Sequence, residues 1–229
     1  MPLTQTVHLD RLILLQWYMS ESPAQLLRML PPDLRPKMEQ EVKGISNVHR
    51  QQEILTAQVI VSRYLSSDTR IEHLADGSPF LRSAQAAPST QPVAPLPHLS
   101  VSHSGPYLCI ALHPDCCIGI DVQVRTDRID SIAQRFLQPE EEPAGLSAAQ
   151  LTQYRLICWS SKEAAFKVVG DSDAMLLSHF FINPFQPTSP EGQLQCTYLS
   201  DGHTTMPLDI HYRLEPEYVL TYCMAVPAN

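Results

Sequence analysis

The sequence predicts an α+β protein made of two halves, each a small antiparallel sheet with a long helix. Three observations predict this class. Residues 47–65 and 148–169 each repeat apolar side chains at helical spacing. Each of these runs is followed by segments that alternate in strand fashion between turn residues. The 229 residues are 44% hydrophobic and 17% charged, which is the make-up of an ordinary globular protein rather than a disordered or fibrous one. The expected halves are residues 1–114 and 115–229. No sequence repeat relates them.

Taken in order, Leu12–Leu15 is strand-like, and Ser22-Pro23 opens a helix with proline at its first position. Pro31-Pro32 ends that helix. From Asn47 to Leu65 the residues Ile54, Ala57, Val61 and Leu65 draw one buried stripe along a long helix. Asp76-Gly77-Ser78-Pro79 is a turn. Residues 83–98 are rich in Ala, Pro, Gln and Ser and read as a mobile surface insertion. A three-stranded meander is expected next, over Leu99–His103, Tyr107–Leu112 and Cys117–Val124. Residues 129–138 read as helix, Glu140-Glu141-Glu142-Pro143 as a break, and Ala148–Val169 as the second long helix. Phe180–Val226 alternates as strands, the last being Tyr218–Ala225.

Charge narrows the functions. The formal net charge is −8, with 9 basic and 10 acidic residues in 1–115 against 7 and 14 in 116–229. Such a chain is a poor non-specific nucleic-acid binder, and a polyanionic ligand must lean on the first half or on isolated Lys and Arg in the second. No apolar run is long enough for a membrane span, and Leu12–Leu15 lacks the flanks of a signal peptide. The six cysteines form no C-x-x-C pair, which argues against structural zinc, and Cys109, Cys158 and Cys223 lie in apolar runs as buried thiols. A cytoplasmic protein with reduced cysteines is expected.

Three segments have the residues for chemistry. In Ile118–Gln123, strand alternation turns Ile118, Ile120 and Val122 to a core. Gly119, Asp121 and Gln123 share the other face, with Asp121 and Gln123 about 7 Å apart. A carboxylate and an amide oxygen there suit Mg²⁺, and an edge strand with a polar outer face is the plainer alternative. In Trp159–Lys167 the core stripe is Ile157, Ser161, Ala164 and Val168. Glu163 and Lys167 lie nearly opposite, an arrangement that also describes a solvent-facing i,i+4 pair. Trp159 and Phe166 on that side point instead to a covered cleft, where Glu163 binds a metal or takes a proton and Lys162 and Lys167 face phosphate oxygens. In Ser100–Gly105, His103 between serines at a strand end suits a phosphate contact or acid–base work, or simply caps a turn. There is no G-x-S-x-G elbow, Walker A sequence or Rossmann glycine run.

Together, SVSHSG (Ser100–Gly105), GIDVQ (Gly119–Gln123) and WSSKEAAFK (Trp159–Lys167) resemble the 4′-phosphopantetheinyl transferase superfamily, most closely its longer, two-half, surfactin-synthetase-activating type. The last segment fits W-[ST]-x-K-E-[AS]-x-x-K at every fixed position, and AQRFL (Ala133–Leu137) resembles the stretch before the carrier-receiving loop. The resemblance implies two pseudo-symmetric halves with the active site at their interface, acting as a monomer. It implies transfer of the 4′-phosphopantetheine arm of coenzyme A to a serine of an apo acyl or peptidyl carrier protein, releasing 3′,5′-ADP, with Mg²⁺ as cofactor. Asp121 and Glu163, with Gln123, would hold Mg²⁺. Glu163 would accept the serine proton, and Lys167 would offset charge on the leaving phosphate. His103 and Lys162 would steady the pyrophosphate with Ser102 nearby, and Trp159 would support packing. Arg50 is the candidate for the coenzyme's 3′-phosphate, ahead of Arg35 and Lys37. The carrier would dock transiently near residues 124–150. Neither nucleic acid nor membrane is an expected partner.

The chain departs from the family's pattern in three places. The family's arginine on the first long helix, which holds the 3′-phosphate, has no exact match here, and Arg50 is the candidate. Gln123 stands where many members have Glu, and Gly77-Ser78-Pro79 stands where many have Gly-Lys-Pro. These departures motivate an alternative, a weakened member that binds coenzyme A or carrier without efficient transfer. A second alternative is another Mg²⁺-dependent pyrophosphate enzyme, such as a nucleotide hydrolase.

Overall fold

Apolar side chains on every residue from Tyr107 to Leu112 require a strand covered on both faces, and that strand, Tyr107–His113, sits in the middle of the first sheet. The architecture is taken from a computed structural model, which describes residues 3–83, 96–187, 189–200 and 204–225. The chain divides into two compact units, Met1–Asp115 and Cys116–Asn229. Most of the Pro-rich stretch expected at 83–98, residues 84–95, lies outside the described residues.

The first unit runs β1 (Leu3–Leu9), β2 (Leu12–Tyr18), α1 (Pro23–Met29), α2 (Arg35–Lys43), α3 (Val48–Tyr64), β3 (Thr69–His73), β4 (Pro79–Ser83), β5 (His98–Ser104) and β6 (Tyr107–His113). Its antiparallel sheet has the order β1-β2-β6-β5, and β3-β4 form a separate hairpin. Helix α1 starts at a capping box in which Ser22 and Gln25 satisfy each other's backbone N–H groups. In α3 the Asn47 side chain accepts from the N–H groups of His49 and Arg50, a cap worth about 1 kcal/mol. Leu55, Val59 and Ile60 of α3 are buried in one core with Leu108, Ile110 and Leu112 of β6 and Leu15 and Trp17 of β2. The expected turn at residues 76–79 closes the β3-β4 hairpin, with Gly77 at φ +86°. Helix α2 and strands β1, β3 and β4 were not anticipated.

The second unit runs β7 (Cys117–Val124), α4 (Arg128–Ile132), α5 (Ala148–Val169), α6 (Leu176–His179), β8 (Phe180–Ile182), β9 (Glu191–Ser200), β10 (Thr204–Leu214) and β11 (Tyr218–Ala225). The antiparallel sheet has the order β7-β11-β10-β9-β8. Helix α5 occupies the expected span, opened by a Ser147–Gln150 capping box and closed by left-handed Gly170. Two expectations are corrected. Cys117–Val124 is not the third strand of a meander, because β2 already pairs with the free edge of β6 and β7 pairs with β11. The helix expected at 129–138 ends at Ile132 and tightens into a 3₁₀ turn at Ala133–Arg135. All six cysteines are free thiols. Among the described residues, no helix is long and apolar enough to cross a membrane.

Lys162 locks this unit from within. It is 0% exposed, and its ammonium donates to Phe136 O at 2.6 Å and to both Glu141 oxygens at 2.7 and 2.9 Å. Glu141 also accepts the N–H groups of Gln138 and Ile182, each at 2.8 Å. The loop before α5, the helix itself and β8 are thereby tied to one buried ion pair. Removing one member strands the other charge in the core. Lys162→Met should therefore lower unfolding free energy by about 3–5 kcal/mol in urea titration, whereas the exposed Lys37→Met should stay within about 0.5 kcal/mol.

Candidate active site

In the second unit the geometry starts from Gly119. A Cβ on Gly119 would lie 1.9 Å from the Ala164 carbonyl oxygen, so only glycine lets α5 lie directly on β7. The space beside this residue is filled by the helix backbone. A second tie lies alongside. Thr221, the β11 partner of Asp121, bonds to Ser160 of α5 at 2.8 Å. With helix and strand fixed together, Asp121 faces the side chains of α5.

Asp121 is 2% exposed. Its Oδ1 accepts from Lys167 Nζ at 3.0 Å, and its Oδ2 accepts from Gln123 Nε2 at 3.0 Å. Lys167 also donates to the Ile120 carbonyl at 2.8 Å, so it reaches back along the helix to the strand rather than pairing with Glu163. Glu163 is half-buried. Burial first, and the charge of Asp121 second, push its carboxyl above the ordinary range, while Lys167 pulls it down. Asp121, Glu163 and Lys167 thus act on one another electrostatically.

Other expected residues fall elsewhere. Lys162 belongs to the buried Glu141 pair, so its donors are already used and the expected pyrophosphate contact is corrected. Trp159 packs edge-on against Phe136, with centroids 5.0 Å apart, in its expected supporting role. The acidic run at 140–142 is largely neutralised. Glu141 pairs with Lys162 and Glu142 with Arg155, leaving Glu140 exposed.

The first unit holds a cavity of about 190 Å³. Arg50, Glu53, His103, His73 and the hairpin turn residues Gly77 and Pro79 contribute to its wall. Arg50 Nη1 and His103 Nε2 lie 3.1 Å apart. Both converge on Glu53, which the sequence reading passed over, although its i,i+3 spacing from Arg50 was visible. Val101 and His103 line the cavity, whereas Ser102, one residue out of phase on β5, is buried and does not. Arg35 is engaged in capping α1, donating to the Leu30 and Arg28 carbonyls at 2.9 Å each, and Lys37 is exposed on α2.

Residues 117–223 match the family model of the 4′-phosphopantetheinyl transferase superfamily. That stretch, a little under half of the chain, is similar to the superfamily. Its members move phosphopantetheine to carrier proteins, using coenzyme A and a divalent metal. No curated protein gives a significant match to the chain. The matched stretch contains Asp121, Gln123, Glu163 and Lys167, whereas Arg50 and His103 lie before it. Among the described residues, no three His, Cys, Asp or Glu side chains gather as a metal cluster. Asp121, Glu163 and Gln123 nonetheless form a set of possible oxygen donors. It comprises one buried carboxylate, one half-buried carboxylate held back from ionising, and an amide that can offer oxygen.

The raised pKa of Glu163 carries a sign for stability. The native state holds a proton on Glu163 over a pH range in which the unfolded chain has lost it, so ionised Glu163 lowers stability as pH rises through its native value. Glu163→Gln should therefore raise the melting temperature of the metal-free protein at neutral pH. The gain should vanish well below the ordinary carboxylate value of 4.5, as read by scanning calorimetry across pH.

Proposed function

We propose that this chain transfers the 4′-phosphopantetheine arm of coenzyme A to a serine of an apo acyl or peptidyl carrier protein. The serine Oγ bonds to the phosphorus that bears the pantetheine arm, the bond from that phosphorus to the bridging oxygen breaks, and 3′,5′-ADP leaves with the bridging oxygen. The observation that carries this reading is the set of Asp121, Lys167 and Glu163. It places one cation against one buried carboxylate and leaves a second carboxylate short of a counter-ion.

Each residue has a task that follows from its surroundings. Glu163, with a carboxyl raised by burial and by Asp121, is a stronger base than an ordinary carboxylate and is suited to take the serine proton. Lys167 can turn its ammonium from Asp121 to the leaving phosphate and balance the charge that grows there. Asp121 and Glu163, with Gln123 through its amide oxygen, would hold Mg²⁺, which supplies charge neutralisation on the pyrophosphate. Arg50 and His103 offer donors to a phosphate of the coenzyme, and Gly77 and Pro79 border their cavity although the expected lysine is Ser78. Carrier docking is assigned to residues 124–150, where the pairing of Glu141 and Glu142 removes most of the charge that would repel an acidic partner. We place the reaction in the cytoplasm and the protein as a monomer.

Intact-mass spectrometry of several apo carriers with coenzyme A and Mg²⁺ tests the activity. The wild type should add one phosphopantetheine mass, and Glu163→Gln should slow addition by about 10²-fold or more. A wild type that adds nothing to any carrier favours the binding-only alternative, and coenzyme cleavage without carrier favours a hydrolase. Separately, Gln123→Glu should lower the Mg²⁺ concentration giving half-maximal rate, since a carboxylate binds the ion more strongly than an amide. An unchanged requirement would remove Gln123 from the metal site.

A further inference from the structure

A carboxylate is an unexpected neighbour for an anion site. Glu53, about one turn into α3, is buried with 9% of its side chain exposed, yet it sits between Arg50 and His103. Coulomb repulsion alone would weaken any phosphate bound nearby. We propose that Glu53 is a positioning residue, which holds Arg50 and His103 from behind and presents the remaining Arg50 donors and His103 Nε2 to a phosphate in the adjoining cavity. The proposal rests on the coenzyme reading above only for the identity of that phosphate.

The contacts define how it works. Glu53 Oε2 accepts from Arg50 Nη1 at 2.9 Å, and Oε1 lies 3.0 Å from His103 Nδ1. His103 Nε2 lies 3.1 Å from the same Arg50 nitrogen. Arginine can only donate, and an ionised carboxylate can only accept. Both His103 contacts are therefore satisfied together only by a neutral ring with its proton on Nδ1. Glu53 sets that tautomer and leaves Nε2 facing Arg50, beside the cavity that both residues line. When a phosphate takes over the Arg50 N–H, Nε2 is released to accept a proton from solvent and donate it to the anion. The carboxylate behind Nδ1 stabilises the imidazolium so formed. The other titratable groups facing this cluster are His49, whose Nε2 is 3.4 Å from Glu53 Oε1, and Glu41 and His73 on the cavity wall. None of them bridges Arg50 and His103.

The test uses the full chain and 3′,5′-ADP as the anion. Glu53→Gln preserves size, but half of its head becomes a donor, so it can hold only one of the two partners. Calorimetric titration should show 3′,5′-ADP binding weakened about tenfold in Glu53→Gln, as for other residues that orient a binding group from behind. Equal or tighter binding would overturn the proposal, because removing a bystander's negative charge can only help an anion. A second readout needs no variant. Nitrogen-15 spectra of the wild type at about pH 8, where an ordinary imidazole is neutral, should show His103 protonated at Nδ1, and a ring protonated at Nε2 would overturn it. If the wild type fails to bind 3′,5′-ADP, the coenzyme reading falls, while the ring spectrum still decides whether Glu53 holds His103.

Discussion

The candidate chemistry of the second unit depends on one close contact, the bare backbone of Gly119 against the Ala164 carbonyl of α5. Any side chain at 119 would force the helix off the strand, because the obstructing atom belongs to backbone and cannot rotate away. With the helix this close, a short aspartate at 121 reaches the α5 side chains, and Lys167 can stretch back to both Asp121 and the Ile120 carbonyl. The Ser160–Thr221 bond holds the same junction from the neighbouring strand. The glycine and the acid two residues later therefore form one unit. The first sets the distance at which the second can act.

Electrostatics then separates two lysines of the same helix. At about 100° per residue, Lys167 falls about 40° from Glu163 but about 140° from Lys162. Lys162 thus turns toward Phe136, Glu141 and Leu176, where every proton of its ammonium finds an oxygen. Lys167 turns toward Asp121 and keeps about a quarter of its side chain exposed. One cation is structural and saturated, and the other is partly open and able to exchange partners. The motif places both lysines within six residues, but only helical geometry says which can meet a ligand.

Much of the fold was legible because its signals are local. Ser22, Asn47 and Ser147 announce helix starts by capping chemistry, and Gly170 and the residues around Gly77 announce stops and turns. What was illegible depends on partners distant in sequence. Nothing within Cys117–Val124 says that it pairs with β11 rather than with β6. Helix α2 carries charged residues and few apolar ones, so its periodicity is weak, and only Met38 and Val42 bury it. At the site, Asp121, Glu163 and Lys167 could be nominated from residue type and spacing. Glu53 and Glu141 could not, since each is defined by a contact with a residue more than twenty positions away, to His103 and Lys162 respectively.

The same contacts explain why the acids of the second unit can be kept close together without a cation bound. Asp121 has both oxygens covered, one by Lys167 and one by the Gln123 amide, so its charge is compensated inside the protein. Glu163 has no equivalent cover, and the repulsion of the pair falls on it as a raised pKa. A glutamate at 123 would add a third negative charge beside Asp121, to be relieved only by a bound cation. Glutamine relieves it beforehand and gives up one strong ligand. Under the proposed metal reading, the departure at 123 would shift the balance between a stable metal-free fold and tight metal binding, while leaving in place the glycine contact, the buried acid and the lysine on which the geometry rests.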